Sequence, residues 1–181
     1  MKLCIRQRVF SWTDSYDVYD EWGNPRYEVR TEFFPLAHLL HIYERSTGRE
    51  VGFIREGLMT LMPKFSIIMD GQEIGTVRRE FTLFLPRHQV DYRNWDVTGD
   101  LMGWDYQIVE RGHTVGTISK RVFSWSDTYT LDFADPADEL PGLLLVLAID
   151  AANCHSSKEF GSIRARLKFS IFLSDSQKLW K

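Results

Sequence analysis

Residues 135–153 read DPADELPGLLLVLAIDAAN, the one long apolar stretch in the chain. Leu143, Leu144, Leu145, Val146, Leu147, Ala148 and Ile149 are consecutive, and Ala151 and Ala152 follow Asp150. The stretch predicts one helix over residues 136–153. Asp135 suits the N-cap, and Pro136 suits a first helical position that has no N–H to satisfy. Asp138 falls in the first turn, where a carboxylate favours the positive end of the helix dipole. Pro141 either sits late in that turn or moves the start to Asp138. A helix with no polar face must be enclosed on every side. A bilayer would require about 20 predominantly apolar residues, and this run is shorter and contains an aspartate. Enclosure by the rest of the protein is the expectation.

The remainder of the chain supplies strands. Glycines at 23, 48, 71 and 112 each follow a turn-like stretch. Six residues after them stand Val29, Ile54, Val77 and Ile118; ten after stand Phe33, Leu58, Phe81 and Val122. Gly52, Gly75 and Gly116 recur four after the turn glycine, and apolar residues at both three and six after it break strict alternation. A β-bulge at these inner glycines accounts for both facts, and it leaves the inward and outward faces unassigned. Asp70-Gly71 is a two-residue hairpin signal. A second repeat, RVFSWTDSYDVYD at 8–20 and RVFSWSDTYTLDF at 121–133, brackets the body. The segments amount to roughly ten to twelve short antiparallel strands. A helix is about 10–12 Å across, and barrels of more than ~8 strands have an interior to fill. The predicted fold is a mainly β, closed antiparallel barrel of about twelve strands around a buried C-terminal helix. Residues 1–153 form that one domain, and residues 154–181 form a basic extension, either an edge strand or a tail.

Composition narrows the function classes. Among 181 residues, 44% are hydrophobic and 14% aromatic, with a net charge of −3, which offers no general affinity for nucleic acid. Residues 154–181 carry six Lys/Arg against two acids. In that extension Arg164, Arg166 and Lys168 alternate with Ala165, Leu167 and Phe169, which is strand-like. Cys4 and Cys154 have no metal or redox spacing and suit a reducing cytosol. The start, MKLCIRQRVFSW, has charges where a secretion signal needs an apolar run. The expected location is cytoplasmic, with peripheral contact at the membrane.

No nucleophile elbow, phosphate loop, dinucleotide fingerprint or zinc-protease motif occurs. The chain reads as a non-enzyme, with no cofactor. His38 and His41 lie three apart, on opposite faces of a strand. The aromatic residues of the VFSW motifs read as barrel packing. The functional lead is basic. Seven after the turn glycines stand Arg30, Arg55 and Arg78, and the fourth copy has Lys120 one position on. With Arg79 and Arg121 these predict a stripe suited to anionic headgroups, because guanidinium forks match phosphate.

The paired VFSW-(S/T)-D-(S/T)-Y motifs, the G-x-x-(V/I)-G-x-(V/I) turns, the segment EFTLFLPRHQV and the LLLVLAIDAA helix resemble the LURP-one-related (YxjI-like) family. That family belongs with the tubby C-terminal-like domains and the phospholipid scramblases. The resemblance covers residues 1–153. It implies a twelve-stranded barrel around a central C-terminal helix, in agreement with the pattern above. It implies less for function. Tubby domains bind phosphoinositide headgroups, scramblases act at membranes with calcium, and LURP-one-related members have no well-established activity. Asp132, Asp135, Asp138 and Glu139 stand where scramblases carry their calcium loop, but the spacing is not that of an EF-hand and helix capping explains two of them. No metal site is expected there. The first functional reading is an intracellular binding module that docks on anionic phospholipid surfaces. The rival is a protein-interaction or stress-response scaffold with a protein partner. A third, a scramblase-like membrane-active protein, requires the helix to leave the barrel.

Overall fold

The computed structural model describes residues 1–6, 16–34, 37–57, 64–80, 87–101, 103, 105–123 and 126–153; side chains at 6, 16, 33, 34, 37, 38, 79, 80, 87, 120–123 and 126–128 lie outside that description. Residues 7–15, which hold the first VFSW motif, Ser124 and Trp125 of the second, and the whole 154–181 extension are outside it. Among the described residues twelve strands precede the helix: β1 (Lys2–Arg6), β2 (Tyr16–Asp20), β3 (Pro25–Phe34), β4 (Ala37–Glu44), β5 (Glu50–Glu56) and β6 (Lys64–Met69). Then follow β7 (Gln72–Glu80), β8 (Arg87–Tyr92), β9 (Trp95–Asp100), β10 (Asp105–Glu110), β11 (His113–Phe123) and β12 (Ser126–Phe133). A 3-10 turn at Pro136–Asp138 leads into α1, residues 139–153.

Every ladder is antiparallel and joins strands adjacent in sequence, except that β1 pairs with β12. The strand order β8-β7-β6-β5-β4-β3-β2-β1-β12-β11-β10-β9 makes one twelve-stranded sheet. It curls into a nearly closed barrel. The β8–β9 pair is the exception among consecutive strands: a two-residue turn joins them, with Arg93 at φ 51° and Asn94 at φ 54°, yet no ladder is found between them among the described residues.

Alternation explains the interior. Leu3, Val18, Val29, Ile42, Ile54, Ile67, Val77, Ile108, Ile118 and Leu131 are fully buried, one to a strand on ten of the twelve strands. Branched residues suit such a half-buried pleated surface. Into this ring the helix inserts Leu143 through Ile149, all buried. Each large side chain enclosed in this way contributes about 1.5–3 kcal/mol of transfer free energy. The apolar stretch therefore has its enclosure on every side. Pro141 lies in the first turn of α1, where its missing N–H has no intrahelical acceptor to lose. Asp135 caps the 3-10 turn, its Oδ1 accepting from the Ala137 N–H at 2.8 Å.

All four turn glycines have positive φ, and Asp70-Gly71 makes the tight hairpin with Met69 opposite Gln72. The bulges are real, with one difference from expectation. The ladder steps between Ile42 and Tyr43, between Ile67 and Ile68 and between Ile108 and Val109, so the extra residues are Val51, Ile74 and Val115, one before each inner glycine. The Gly23 copy has the same step, at Arg26, without an inner glycine. The inner glycines instead leave room: a Cβ at Gly75 would meet Tyr92 Cδ2 at 2.5 Å, and one at Gly116 would meet Phe133 Cδ1 at 2.6 Å.

Gly142, inside α1, is held to the same requirement by the Phe133 ring, which a Cβ would overlap. Helix propensity alone favours alanine there by about 1 kcal/mol, whereas overpacking a dense core costs about 1–3 kcal/mol. Gly142→Ala is therefore expected to lower unfolding stability by about 1 kcal/mol in a urea titration. A gain in stability would mean that the ring moves aside and that packing at this point is loose.

Candidate functional site

The ladder registers set the geometry of the outer face. Arg55 on β5 lies opposite Leu39 on β4, which lies opposite Glu32 on β3, two residues along from Arg30. On its other side Arg55 lies opposite Ser66 on β6, which lies opposite Thr76 on β7, two residues along from Arg78. Arg30, Arg55 and Arg78 therefore fall on a regular diagonal, each step crossing two strands and advancing two residues. With strands about 4.8 Å apart and a rise of about 3.4 Å per residue, the Cα atoms are about 12 Å apart. All three are exposed.

Their electrostatic surroundings differ. Arg30 donates to Glu28 Oε2 at 2.8 Å and lies 4.5 Å above the Tyr43 ring. That hydrogen bond holds the Glu28 carboxyl below the usual range and raises the arginine. Arg45 reaches the same Glu28 oxygen at 3.1 Å and also binds Asp17. This end of the diagonal is a neutralised network, with His41 beside it between Glu50 at 3.2 Å and Glu32 at 3.8 Å. Arg55 has a longer contact, 3.7 Å to Glu73. Arg78 is different again. Directly opposite it on β6 is Lys64, and among the described side chains no carboxylate forms an ion pair with either. Like charges directly opposite on neighbouring strands are destabilising.

The structure thus brings Arg55 and Arg78 together with Lys64, a residue absent from the stripe expected from sequence. The bulge at Ile74 is the reason. Counting back from the hairpin without it places Lys64 opposite Val77 and on the other face; the extra residue moves it opposite Arg78. Arg79, opposite His88, is the next position on β7 after Arg78. Lys120 opposite Tyr129 and Arg121 opposite Thr128 are on β11, beyond the β8–β9 seam and away from this spot.

The acids before the helix each have a partner. Asp132 lies 3.5 Å from Lys2 and 3.6 Å from the Met1 amine. Asp135 is the cap described above. Asp138 lies 3.2 Å from Arg93; burial pushes its carboxyl up, and Arg93 opposes that. Glu139 is 2% exposed, and its Oε1 accepts from the Tyr27 hydroxyl at 2.8 Å and from Arg26 Nε at 3.1 Å. Burial and this carboxylate push the tyrosine far up. Among the described residues no group of three or more His, Cys, Asp or Glu side chains is arranged to hold a metal ion. Tyr27 carries its own sequence signal: it stands four after Gly23, where the other copies have glycine, and its hydroxyl crosses to the helix.

A twelve-stranded, nearly closed barrel filled by one apolar helix is what the LURP-one-related resemblance implies, and the model of that family matches residues 1–150. The chain belongs to the LURP-one-related family. An uncharacterized protein of Bacillus subtilis strain 168, YxjI, is 27% identical over 150 residues, covering 83% of this chain and 92% of YxjI. An X-ray structure of an Arabidopsis thaliana protein superposes with a TM-score of 0.52 at 14% identity, over 82% of this chain and 91% of that one, a likeness of fold. The LURP-one-related match ends before the basic extension. No helix among the described residues is long and apolar enough to cross a membrane.

Proposed function

We propose that this LURP-one-related barrel is a non-enzymatic binding module that docks on anionic membrane surfaces through Arg55, Lys64 and Arg78. The observation that carries the reading is the Lys64–Arg78 cross-strand pair, two cations opposed on an outer face with no carboxylate between them among the described side chains. An anionic headgroup offsets that repulsion and satisfies the guanidinium forks. Each basic residue near an anionic surface contributes about 1 kcal/mol, so three support weak, reversible binding that salt screens. Arg30 adds least, because Glu28 already holds it.

The test is co-sedimentation with phosphatidylcholine vesicles, plain or doped with phosphatidylserine or a phosphoinositide, at low and physiological salt. Binding is expected to doped vesicles alone and to weaken as salt rises. No binding at low salt to any anionic vesicle would remove this reading.

A protein-interaction scaffold is the second reading, and one observation favours it. Trp22 is 77% exposed at the tip of the β2–β3 turn. Asp20 fixes that turn by accepting from the Trp22 and Asn24 backbone N–H groups and from the Asn24 side chain, which also holds its carboxyl low. Exposed tryptophan on a preorganised turn suits a protein pocket. The scramblase-like reading requires Leu143 through Ile149 to leave their enclosure, and no observation favours it.

A further inference from the structure

The barrel has one unsealed seam. β9 pairs with β10 on one side, and on the other no ladder joins it to β8 among the described residues. At the turn Tyr92 and Trp95 are buried and pack edge to face, ring centroids 5.5 Å apart, which holds the two strands together there. Away from the turn the cover fails. The other ten strands each bury an inward aliphatic side chain completely; β8 and β9 do not. Val90, opposite the buried Val77, and Val97, opposite the buried Ile108, stand on the inward alternation and are only half-buried. Gly99 adds no side chain to cover them: a Cβ there would meet the Tyr106 Cα at 2.7 Å. An open edge of this kind presents backbone N–H and C=O groups and templates another strand.

We infer that this edge is a peptide-binding site, at which an extended cationic segment of a partner protein adds to β9 as a further strand. Apolar side chains at every second position of that segment turn inward, and Lys or Arg between them turn outward. Two independent features define this occupant. The inward side requires apolar residues, because Val90 and Val97 are the aliphatic residues left half-covered. Burying them and the incoming side chains together contributes the hydrophobic part of the affinity. The outward side requires cations. Neither β9 (WDVTGD) nor β10 (DYQIVE) contains a Lys or Arg. Asp91 on β8, Asp96 on β9 and Asp105 on β10 are exposed on the outer face around the seam, and none of the three forms an ion pair among the described side chains. Asp100 is engaged locally, its Oδ1 accepting from the Gly103 N–H at 2.9 Å, and closes off the far end of the strand. The same acids exclude a second copy of this chain as the occupant. Another β9 would bring its own Asp96 to this face, and like charges across neighbouring strands are destabilising; charged edges block self-pairing in this way. In strand addition the main-chain bonds supply affinity, and the alternate side chains select the partner.

The test is backbone amide hydrogen exchange on the full chain without lipid. Arg55, Lys64 and Arg78 stay unchanged, so its failure is distinct from failure of the membrane reading. The probe is a synthetic six-residue peptide alternating lysine and valine. At ten times its dissociation constant it is expected to slow exchange across residues 96–100 about tenfold, because opening of the edge must first release it. Amides of β4 should not change. In Asp91→Lys/Asp96→Lys/Asp105→Lys the preference should reverse, with a glutamate–valine peptide protecting the edge and the lysine–valine peptide not. A block peptide of three lysines followed by three valines carries the same charge without the alternation, and should not protect at the same concentration. Equal protection of the wild type by the block peptide or by the glutamate–valine peptide overturns the inference. So does no protection by the lysine–valine peptide at millimolar concentration. A peptide-free edge that already exchanges as slowly as β10 overturns it too, because the seam would then be closed.

Discussion

Leu145→Asp is expected to abolish the folded protein. Leu145 is at the middle of α1 and fully buried, with Leu144 and Val146 equally enclosed on either side. A helix with one polar face can rotate to bring a new carboxylate to water, but this helix has apolar residues all round and the sheet surrounds it. The substitution loses about 2 kcal/mol of apolar burial. It also leaves a carboxyl in an apolar interior with no partner, at a further cost of several kcal/mol. Domains of this size are stable by about 5–15 kcal/mol in all, so the loss is comparable with the total. Insoluble expression, or soluble protein with no cooperative melt, is the expected result. A variant that melts like the wild type would mean that the helix is not enclosed.

The second large effect is expected at Glu139. This carboxylate closes the end of the barrel where α1 begins, receiving hydrogen bonds from Tyr27 and Arg26 across more than a hundred residues of chain. Glu139→Leu keeps the bulk but leaves a buried phenol and a guanidinium without their acceptor. Stranding the buried phenol costs about 1–3 kcal/mol, while water replaces the acceptor of the 42% exposed Arg26 side chain, so a loss of about 2 kcal/mol is expected in chemical denaturation. Tyr27→Phe removes only the neutral donor and should cost about 1 kcal/mol. Glu139→Gln keeps an acceptor oxygen and should fall between them. If Glu139→Leu costs less than Tyr27→Phe, the carboxylate does not hold the helix to β3.

The architecture was legible because its signals are local. Seven consecutive apolar residues in α1 leave no polar face, and that alone demands an enclosure. The turn glycines mark four hairpins by a backbone requirement that few other residues meet. The candidate site was less legible, because it depends on pairing across strands. One inserted residue at Ile74 changes which side chains share a face, and so decides whether Lys64 stands beside Arg78 or behind it. Charge compensation is also non-local. Arg30 is neutralised from its own strand, but Arg45 and Glu73 enter the network from elsewhere in the sheet. The unsealed seam had only a weak sequence signal, an Arg93-Asn94 pair at a tight turn where other hairpins place glycine. Tyr27 was visible as a departure from the repeat, but its partner 112 positions away was not.

The most direct test of the proposed docking face compares the wild type with Arg55→Glu/Arg78→Glu and with a truncation after Ser157, by sedimentation with phosphoinositide-doped vesicles at low salt. The double reversal changes the charge of the spot by four. At about 1 kcal/mol per basic residue near an anionic surface, affinity should fall by two orders of magnitude or more, with melting temperature unchanged because both side chains are exposed. The truncation should lose less. Undiminished binding by Arg55→Glu/Arg78→Glu, or binding lost on truncation alone, would contradict the account and move the membrane contact off the barrel wall.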